Sequence, residues 1–433
     1  MNRMIDSLGM LLLSCALLAV GNHLLNVLIP LRLNEAEVET LLIGVVMSAN
    51  AVGIVLGCFY GKLLVIRVGY VRTFVLSCTL FTAIVLTYAL FTNAYAWLVL
   101  RVLGGFFTAT AYVVVESWLN SSSSVENRGQ VLGWYLVVHY AATATGQLLV
   151  NADGPNPYFI FIIAALAIAL AIAPVAYSTA PVPESQETAF LSFSELFRIA
   201  PVGMAGVIAA GFSFGSVPAM TPIYGEALGW SVAQISFFMA TVTGGALLFQ
   251  YPLGRLSDFW DRRKMLGVVQ VLGITTLAWM IWEPEMSEVS WKVLVLAVLL
   301  GGVIGSSYPL SSAVVFDWLR PSQMVAATGK LIFTYAIGAI TGPALIALVM
   351  EGIGTTGFPL FLIVVHSSLL LYILYRVQVR KALPVEVQED FVLVPRMPPG
   401  SLELDPRTDP DYDANDPGPL LDIDSDYLTV PSS

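Results

Sequence analysis

Apolar runs of about twenty residues follow one another almost without pause from Leu8 to about Tyr375, separated by short polar or charged breaks. A helix needs about that many residues to cross a bilayer core, and a helix satisfies its own backbone polar groups there. The pattern predicts twelve spans. The first six run at about 8–31, 41–63, 71–92, 96–119, 129–150 and 157–177. The other six run at about 201–224, 232–256, 264–283, 291–316, 328–350 and 357–378. A polar, proline-bearing linker from Ser178 to about Arg198 separates the two sets, with Pro181, Pro183, Glu184 and Glu187. Its end, from Phe190 to Phe197, has the spacing of a short amphipathic helix on the membrane surface. The expected division is a helical unit at 1–178, a linker at 179–199, a second unit at 200–381 and a tail at 382–433.

Composition agrees with the pattern. The chain is 57% hydrophobic and 12% charged, about half the charge of a soluble domain. This predicts an all-α polytopic membrane protein. The net charge of −10 comes entirely from the tail, where 12 acidic residues stand against Arg396 and Arg407. Such a tail is expected to be solvated and disordered, on the cytoplasmic side. With the N-terminus placed inside, 15 Lys and Arg fall in inner loops and only Arg32 and Lys292 in outer ones. By the positive-inside rule both termini are then cytoplasmic. No small-residue cleavage site follows the first apolar run, so it reads as an uncleaved span. Cys15, Cys58 and Cys78 all fall inside spans and read as packing residues rather than a disulfide or a metal site.

The halves echo each other. Leu103-Gly104-Gly105, Trp118-Leu119 and Gly129 return as Leu300-Gly301-Gly302, Trp318-Leu319 and Gly329, at offsets of 197, 200 and 200. Pro30 and Pro222 correspond at 192. Duplicated halves are the mark of secondary transporters, where two bundles flank a substrate path. At these offsets Arg101 faces Val298 and Glu116 faces Phe316, so charge sits in the first half only.

Two motifs carry a family resemblance. Gly254-Arg255-Leu256-Ser257-Asp258-Phe259-Trp260-Asp261-Arg262-Arg263-Lys264, after the eighth span, resembles the G-x-L-a-D-r-x-G-r-r loop of the major facilitator superfamily, with Asp261 in place of the second glycine. The first-half counterpart, from Gly61 to Arg72, lacks the aspartate and has Val65 near its place. Leu98-Val99-Leu100-Arg101-Val102-Leu103-Gly104-Gly105 resembles the superfamily's R-x-x-q-G pattern. The run from Val115 to Leu119, followed by Arg128-Gly129-Gln130, is similar to the uncharacterised YcaD-like branch of bacterial members. The resemblance implies twelve transmembrane helices in two pseudo-symmetric six-helix bundles, moving a solute across a bacterial inner membrane by alternating access.

The candidate site residues follow. Arg101 is an intramembrane charge and a functional candidate on that ground, with snorkelling to the outer interface as the alternative; the resemblance implies a part in proton coupling. His139, near the middle of the fifth span, carries the one type of side chain that titrates near neutrality, or else packs as a hydrogen-bonded histidine. Asn22, His23 and Asn26 form a polar stripe on the first span. With Tyr112, Tyr135, Phe212, Tyr308 and Tyr335 they are the expected substrate contacts, on spans that the resemblance implies line the cavity. An acid and a base at matching helix ends, Glu116 with Arg128 and Asp317 with Lys330, suggest a cytoplasmic gate joined by Asp258 and Arg262, or ordinary architecture. His366 reads as structural.

The cavity set is aromatic and hydroxylated with little charge, which favours a neutral or partly apolar solute and slightly favours export. Uptake by proton symport, or a non-transporting sensor on the same fold, remains open. No P-loop, metal-ligand spacing or nucleophile elbow occurs, so no enzyme activity, metal or cofactor is expected. The expected partners are a small solute, protons and the bilayer, with no nucleic acid and a monomeric chain.

Overall fold

A computed structural model describes residues 2–123, 128–152, 158–177, 192–283, 285–319 and 321–380. Most of the linker and the whole acidic tail lie outside the described residues. The described chain is helical: α1 (Asn2–Glu35), α2 (Thr40–Val68), α3 (Tyr70–Tyr88), α4 (Ala94–Ser121), α5 (Arg128–Leu148), α6 (Phe159–Leu170), α7 (Ile172–Tyr177), α8 (Phe193–Ile199), α9 (Pro201–Ala227), α10 (Val232–Ser257), α11 (Arg262–Trp282), α12 (Trp291–Phe316), α13 (Pro321–Ile353) and α14 (Gly357–Val379). The sixth span is broken at Ala171 into α6 and α7, and α8 is the short helix expected in the linker. The other helices each make one span, giving twelve in two six-helix bundles.

Nine helical stretches among the described residues are long and apolar enough to cross a membrane by themselves, with α13 and α14 counted as one. The fifth and sixth spans fall short for different reasons. The sixth has only the shorter apolar stretch Phe159–Val175, and α5 carries Gln130, His139, Thr143, Thr145 and Gln147, of which Thr143 and Gln147 are buried in the protein.

Local chemistry fixes the helix ends. Gly69, at φ 85°, separates α2 from α3 in a conformation that favours glycine. Ser231 and Gln234 form a reciprocal capping box at the start of α10. Asp261 caps α11, accepting from the Arg263 backbone N–H at 3.0 Å and from the Arg263 guanidinium at 3.1 and 3.0 Å. Its φ of −55° demands no glycine, which explains how an aspartate replaces the usual residue. α8 does not float on the surface: Leu196 is fully buried and Phe193 packs edge-on to Phe333 at 5.3 Å.

Glycine packing fixes the internal symmetry and corrects the sequence offsets. A Cβ on Gly53 would strike the Val102 carbonyl, and one on Gly245 the Val298 carbonyl. Gly105 meets the Asn50 carbonyl as Gly301 meets that of Val242; Gly146 meets Val20 as Gly342 meets Phe212. These contacts superpose when α1 and α2 are shifted by 192 positions and α4 and α5 by 196. At those shifts Arg101 corresponds to Ala297, not Val298, and Glu116 to Ser312, not Phe316. The tryptophan echo is not structural, since Trp118 lies inside α4 and Trp318 beyond the end of α12. Tyr112 corresponds to Tyr308, and His139 to Tyr335.

Candidate functional site

The corrected register brings equivalent aromatic pairs to light. Tyr308 and Tyr335 meet edge-on at 5.4 Å in the second bundle, with Phe214 6.0 Å from Tyr335. In the first bundle the matching pair is Tyr112 and His139, also edge-on, at 5.7 Å. His139 is the hub of a larger group, with ring contacts to His23 at 5.7 Å, Tyr135 at 6.0 Å and Tyr140 at 6.3 Å. Tyr135 donates from its hydroxyl to Oε1 of Glu116 at 2.6 Å, and the Glu116 side chain is wholly buried. His23 and His139 are only partly buried. The Tyr112 hydroxyl is buried without a hydrogen-bond partner among the described residues. Leaving such a group unsatisfied costs about 1–3 kcal/mol, a cost that a bound polar group would offset.

Arg101 does not snorkel. Only 4% of it is exposed, and Nη2 donates to Oδ1 of Asn26 at 3.0 Å. No carboxylate pairs with it among the described residues. Asn26 lies one turn along α1 from His23, so a polar track runs Arg101, Asn26, His23, His139, Tyr135, Glu116 through one bundle. The corresponding positions of the second bundle hold Ala297, Pro218, Gly215, Tyr335, Leu331 and Ser312. Asn22 is buried on the same helix. Phe212 is partly exposed, with its ring 6.1 Å from Phe361. His366 is a packed residue, bonded to Gln270 at 2.7 Å and Ser213 at 3.3 Å.

The residues expected at a gate divide. Arg262, 1% exposed, bonds Asp258 at 2.9 Å and also Asp317. This triad ties the end of α10 and the start of α11 to the end of α12, all within the second bundle. Lys330 sits 4.6 Å above the Phe193 ring and makes no ion pair among the described residues. Glu116 faces the His139 cage through Tyr135. The Arg128 side chain lies outside the described residues. Beyond the triad, Arg380 donates to the Ile199 carbonyl at 2.7 Å and stacks on Trp318 at 3.9 Å. Burial, with Arg376 and Arg263 adding repulsion, pulls its guanidinium down to about 10.

The contacts between bundles were not anticipated from the sequence. At the face remote from the N-terminus, Asn34 of α1 donates to Oε2 of Glu226 of α9 at 2.7 Å. These residues are 192 positions apart, the shift relating the two helices, so each bonds its own symmetry mate beside the pseudo-twofold axis. Along α10, from α5 and the 3-10 turn Leu149–Asn151 that follows it, Asn151 donates to Ser236 at 2.6 Å, Thr243 to Gln147 at 3.0 Å and Tyr140 to Gln250 at 2.9 Å. The three bonds descend in antiparallel register from the remote face. Past Tyr140 the two helices part around a cleft of about 380 Å³. On the opposite side of the molecule, Gly44 of α2 packs on Pro343 and Ala347 of α13 near the same remote face. The sequence signal for this seam was the 192 offset and the polar residues of α5.

Two pseudo-symmetric six-helix bundles, bonded at one face and parted toward the other, with a polar track running through the first of them, define a polytopic membrane transporter. The chain belongs to the Major Facilitator Superfamily, whose profile matches residues 11–231 and 202–406. It is similar to the uncharacterized MFS-type transporter YcaD of Salmonella newport (strain SL254), 28% identical over 367 residues that cover 84% of this chain and 94% of that protein. The Salmonella typhi protein of that name matches to the same extent. Among solved structures, nucleoside transporter NupG superposes with a TM-score of 0.68 at 14% identity, covering 87% of this chain and 99% of that one. A bacterial homolog of the human lysosomal transporter Spinster, inward-facing and unoccupied, gives 0.66 at 14% identity, covering 94% and 99%. These two likenesses establish the fold. The chain is a membrane transporter and not an enzyme.

Proposed function

We propose that this protein is a proton-coupled secondary transporter that moves a small, neutral or partly apolar solute by alternating access, in the export direction. The units at 1–178 and 200–381 are the rocking bodies, joined by the linker at 179–199, and the tail at 382–433 lies outside the moving parts. The carrying observation is the His139 hub: titratable and charged side chains are linked through the first bundle and replaced at equivalent positions of the second. A proton bound there changes the charge of one rocking body and so biases the equilibrium between its two arrangements. Arg101, buried with no carboxylate partner among the described residues, supplies the fixed charge at one end of the track. Asp258, Arg262 and Asp317 brace the second bundle as it moves, with Lys330 near the linker helix and Arg128 at the start of α5.

The excess of Lys and Arg in the loops on the N-terminal side supports cytoplasmic termini in a bacterial inner membrane. With that orientation the bonded seam faces outward and the α5–α10 cleft lies toward the cytoplasm, an inward-facing arrangement. The substrate contacts are Asn22, His23, Asn26, Tyr112 and Tyr135 from one side, and Phe212, Tyr308 and Tyr335 from the other.

The test is flux into proteoliposomes under an imposed pH gradient. Glu116→Gln keeps an acceptor for Tyr135 but removes the charge. It should lose most gradient-driven flux while the purified protein keeps its elution profile. Wild-type turnover in that variant removes Glu116 from the coupling track.

A further inference from the structure

The cleft between α5 and α10 is walled by Gly133, Trp134, Val137, Leu247 and Tyr251, with Gln250 at its inner end. Trp134, Val137 and Tyr251 are 58%, 43% and 54% exposed, and on a membrane-spanning surface that exposure faces hydrocarbon. The inner end is different. Gln250 is 2% exposed and accepts from Tyr140 at 2.9 Å. Tyr140 in turn lies against His139 at 6.3 Å, and the Tyr112 ring is 5.7 Å from His139 on the far side. From lipid inward the cleft wall is therefore apolar except for Gln130, an exposed side chain. Behind the Gln250 amide lie the Tyr140 phenol, a partly exposed imidazole and a buried hydroxyl with no hydrogen-bond partner among the described residues. The cleft volume falls within the roughly 300–1,000 Å³ of small-molecule sites. A Cβ on Gly133 would meet nothing within 4 Å, so the cleft has open space at that wall.

We propose that this cleft is a lateral binding site for a single-chain amphiphile. Its alkyl chain lies between α5 and α10, and its uncharged hydrogen-bonding head replaces the Tyr140–Gln250 bond to reach His139 and the Tyr112 hydroxyl. Two features select that chemistry. An apolar cleft between membrane helices is not a site for a hydrophilic solute, whose polar groups would go unpaired there. The closed Tyr140–Gln250 pair opens only for a head that supplies donors and acceptors in return. The direction in which such a solute moves rests on the transport reading; the binding site does not.

The experiment is photolabelling in phosphatidylcholine vesicles without any gradient. One arm uses a long-chain alkyl alcohol bearing a diazirine near the chain end, the other a phosphatidylcholine with the same group on one chain. The alcohol should label Trp134, Val137 and Leu247 about tenfold, equivalent to about 1.4 kcal/mol, above Val364 and Leu371, exposed residues of α14. Gly133→Phe should bring that excess down to the α14 level, and Val137→Trp, which fills the cleft from another wall, should do the same. Whichever variant elutes as wild type serves as the readout. Even labelling of α5, α10 and α14 overturns the site. So does an equal excess with the phosphatidylcholine probe, which marks a resident lipid, or an excess that survives a folded cleft-filling variant. Failure of the transport reading looks different: the cleft labels but no gradient moves solute.

Discussion

Glu226→Ala is the sharpest test of the remote seam. The Asn34–Glu226 bond, 2.7 Å long, joins symmetry mates beside the axis about which the bundles are related. Rocking that opens the remote face must separate these mates, so the bond exists in one arrangement only and its loss moves the balance between the two. A hydrogen bond to a charged group contributes about 1.5–3 kcal/mol. Both residues are only partly buried, so water replaces much of what is lost, and about 1–1.4 kcal/mol is the appropriate size. That corresponds to a fivefold to tenfold rise in the ratio of remote-open to remote-closed molecules. Glu226→Gln keeps a neutral acceptor for Asn34 and should give about half the shift in free energy. Spin labels on Glu37→Cys and Ala227→Cys, read as distance distributions, measure the ratio directly. An unchanged distribution in Glu226→Ala, with a clear shift in Tyr140→Phe, would refute the reasoning and put the closing force on the α5–α10 seam alone.

Two further outcomes follow from single residues. Arg101→Ala should abolish the acceleration of flux by a pH gradient; a variant with the full pH response takes Arg101 out of coupling. Gly105→Ala places a methyl group against the Asn50 carbonyl and 3.0 Å from the Ile54 nitrogen, so α4 and α2 must move apart. Overpacking of that kind costs about 1–3 kcal/mol, and a lowered unfolding temperature beside an unchanged Gly133→Ala control is the expected result; equal melting of the two would show that the helices yield freely.

Much of the architecture was legible because a bilayer imposes it. Span length, loop charge and the halves were written in hydropathy, and the loop motif marked Asp258 and Arg262, which do meet. The register of the repeat was legible only in part. Identity matching favoured Trp118 with Trp318, a coincidence of two large residues near helix ends. Packing aligns Gly105 with Gly301, because backbone carbonyls of the neighbouring helix leave room for no side chain. That shift of a few residues turned His139 from an isolated histidine into the counterpart of Tyr335. The seam was hidden for another reason. Tyr140 and Gln250 are 110 positions apart, and Gln147 and Thr243 96, and no local pattern joins residues that meet only when two bundles dock. Asn26 looked like a cavity residue by its place on α1, yet its carboxamide oxygen is engaged by Arg101.

The asymmetry between bundles bears on mechanism through Tyr140. A titratable track confined to one bundle can drive rocking only if its protonation reaches the surface where the bundles meet. Arg101, Asn26 and Glu116 lie within the first bundle, and none of the described seam bonds uses them. Tyr140 touches both sides, its ring against His139 and its hydroxyl on Gln250 of the second bundle. On the proposed coupling, a proton gained at His139 would place a cation beside that ring and change the field on the phenol dipole, and so the strength of the last bond of the seam. That bond is also the inner wall of the cleft. Proton binding, seam closure and the reach of a solute into the cage would then meet at one hydrogen bond, and Tyr140→Phe should uncouple them together.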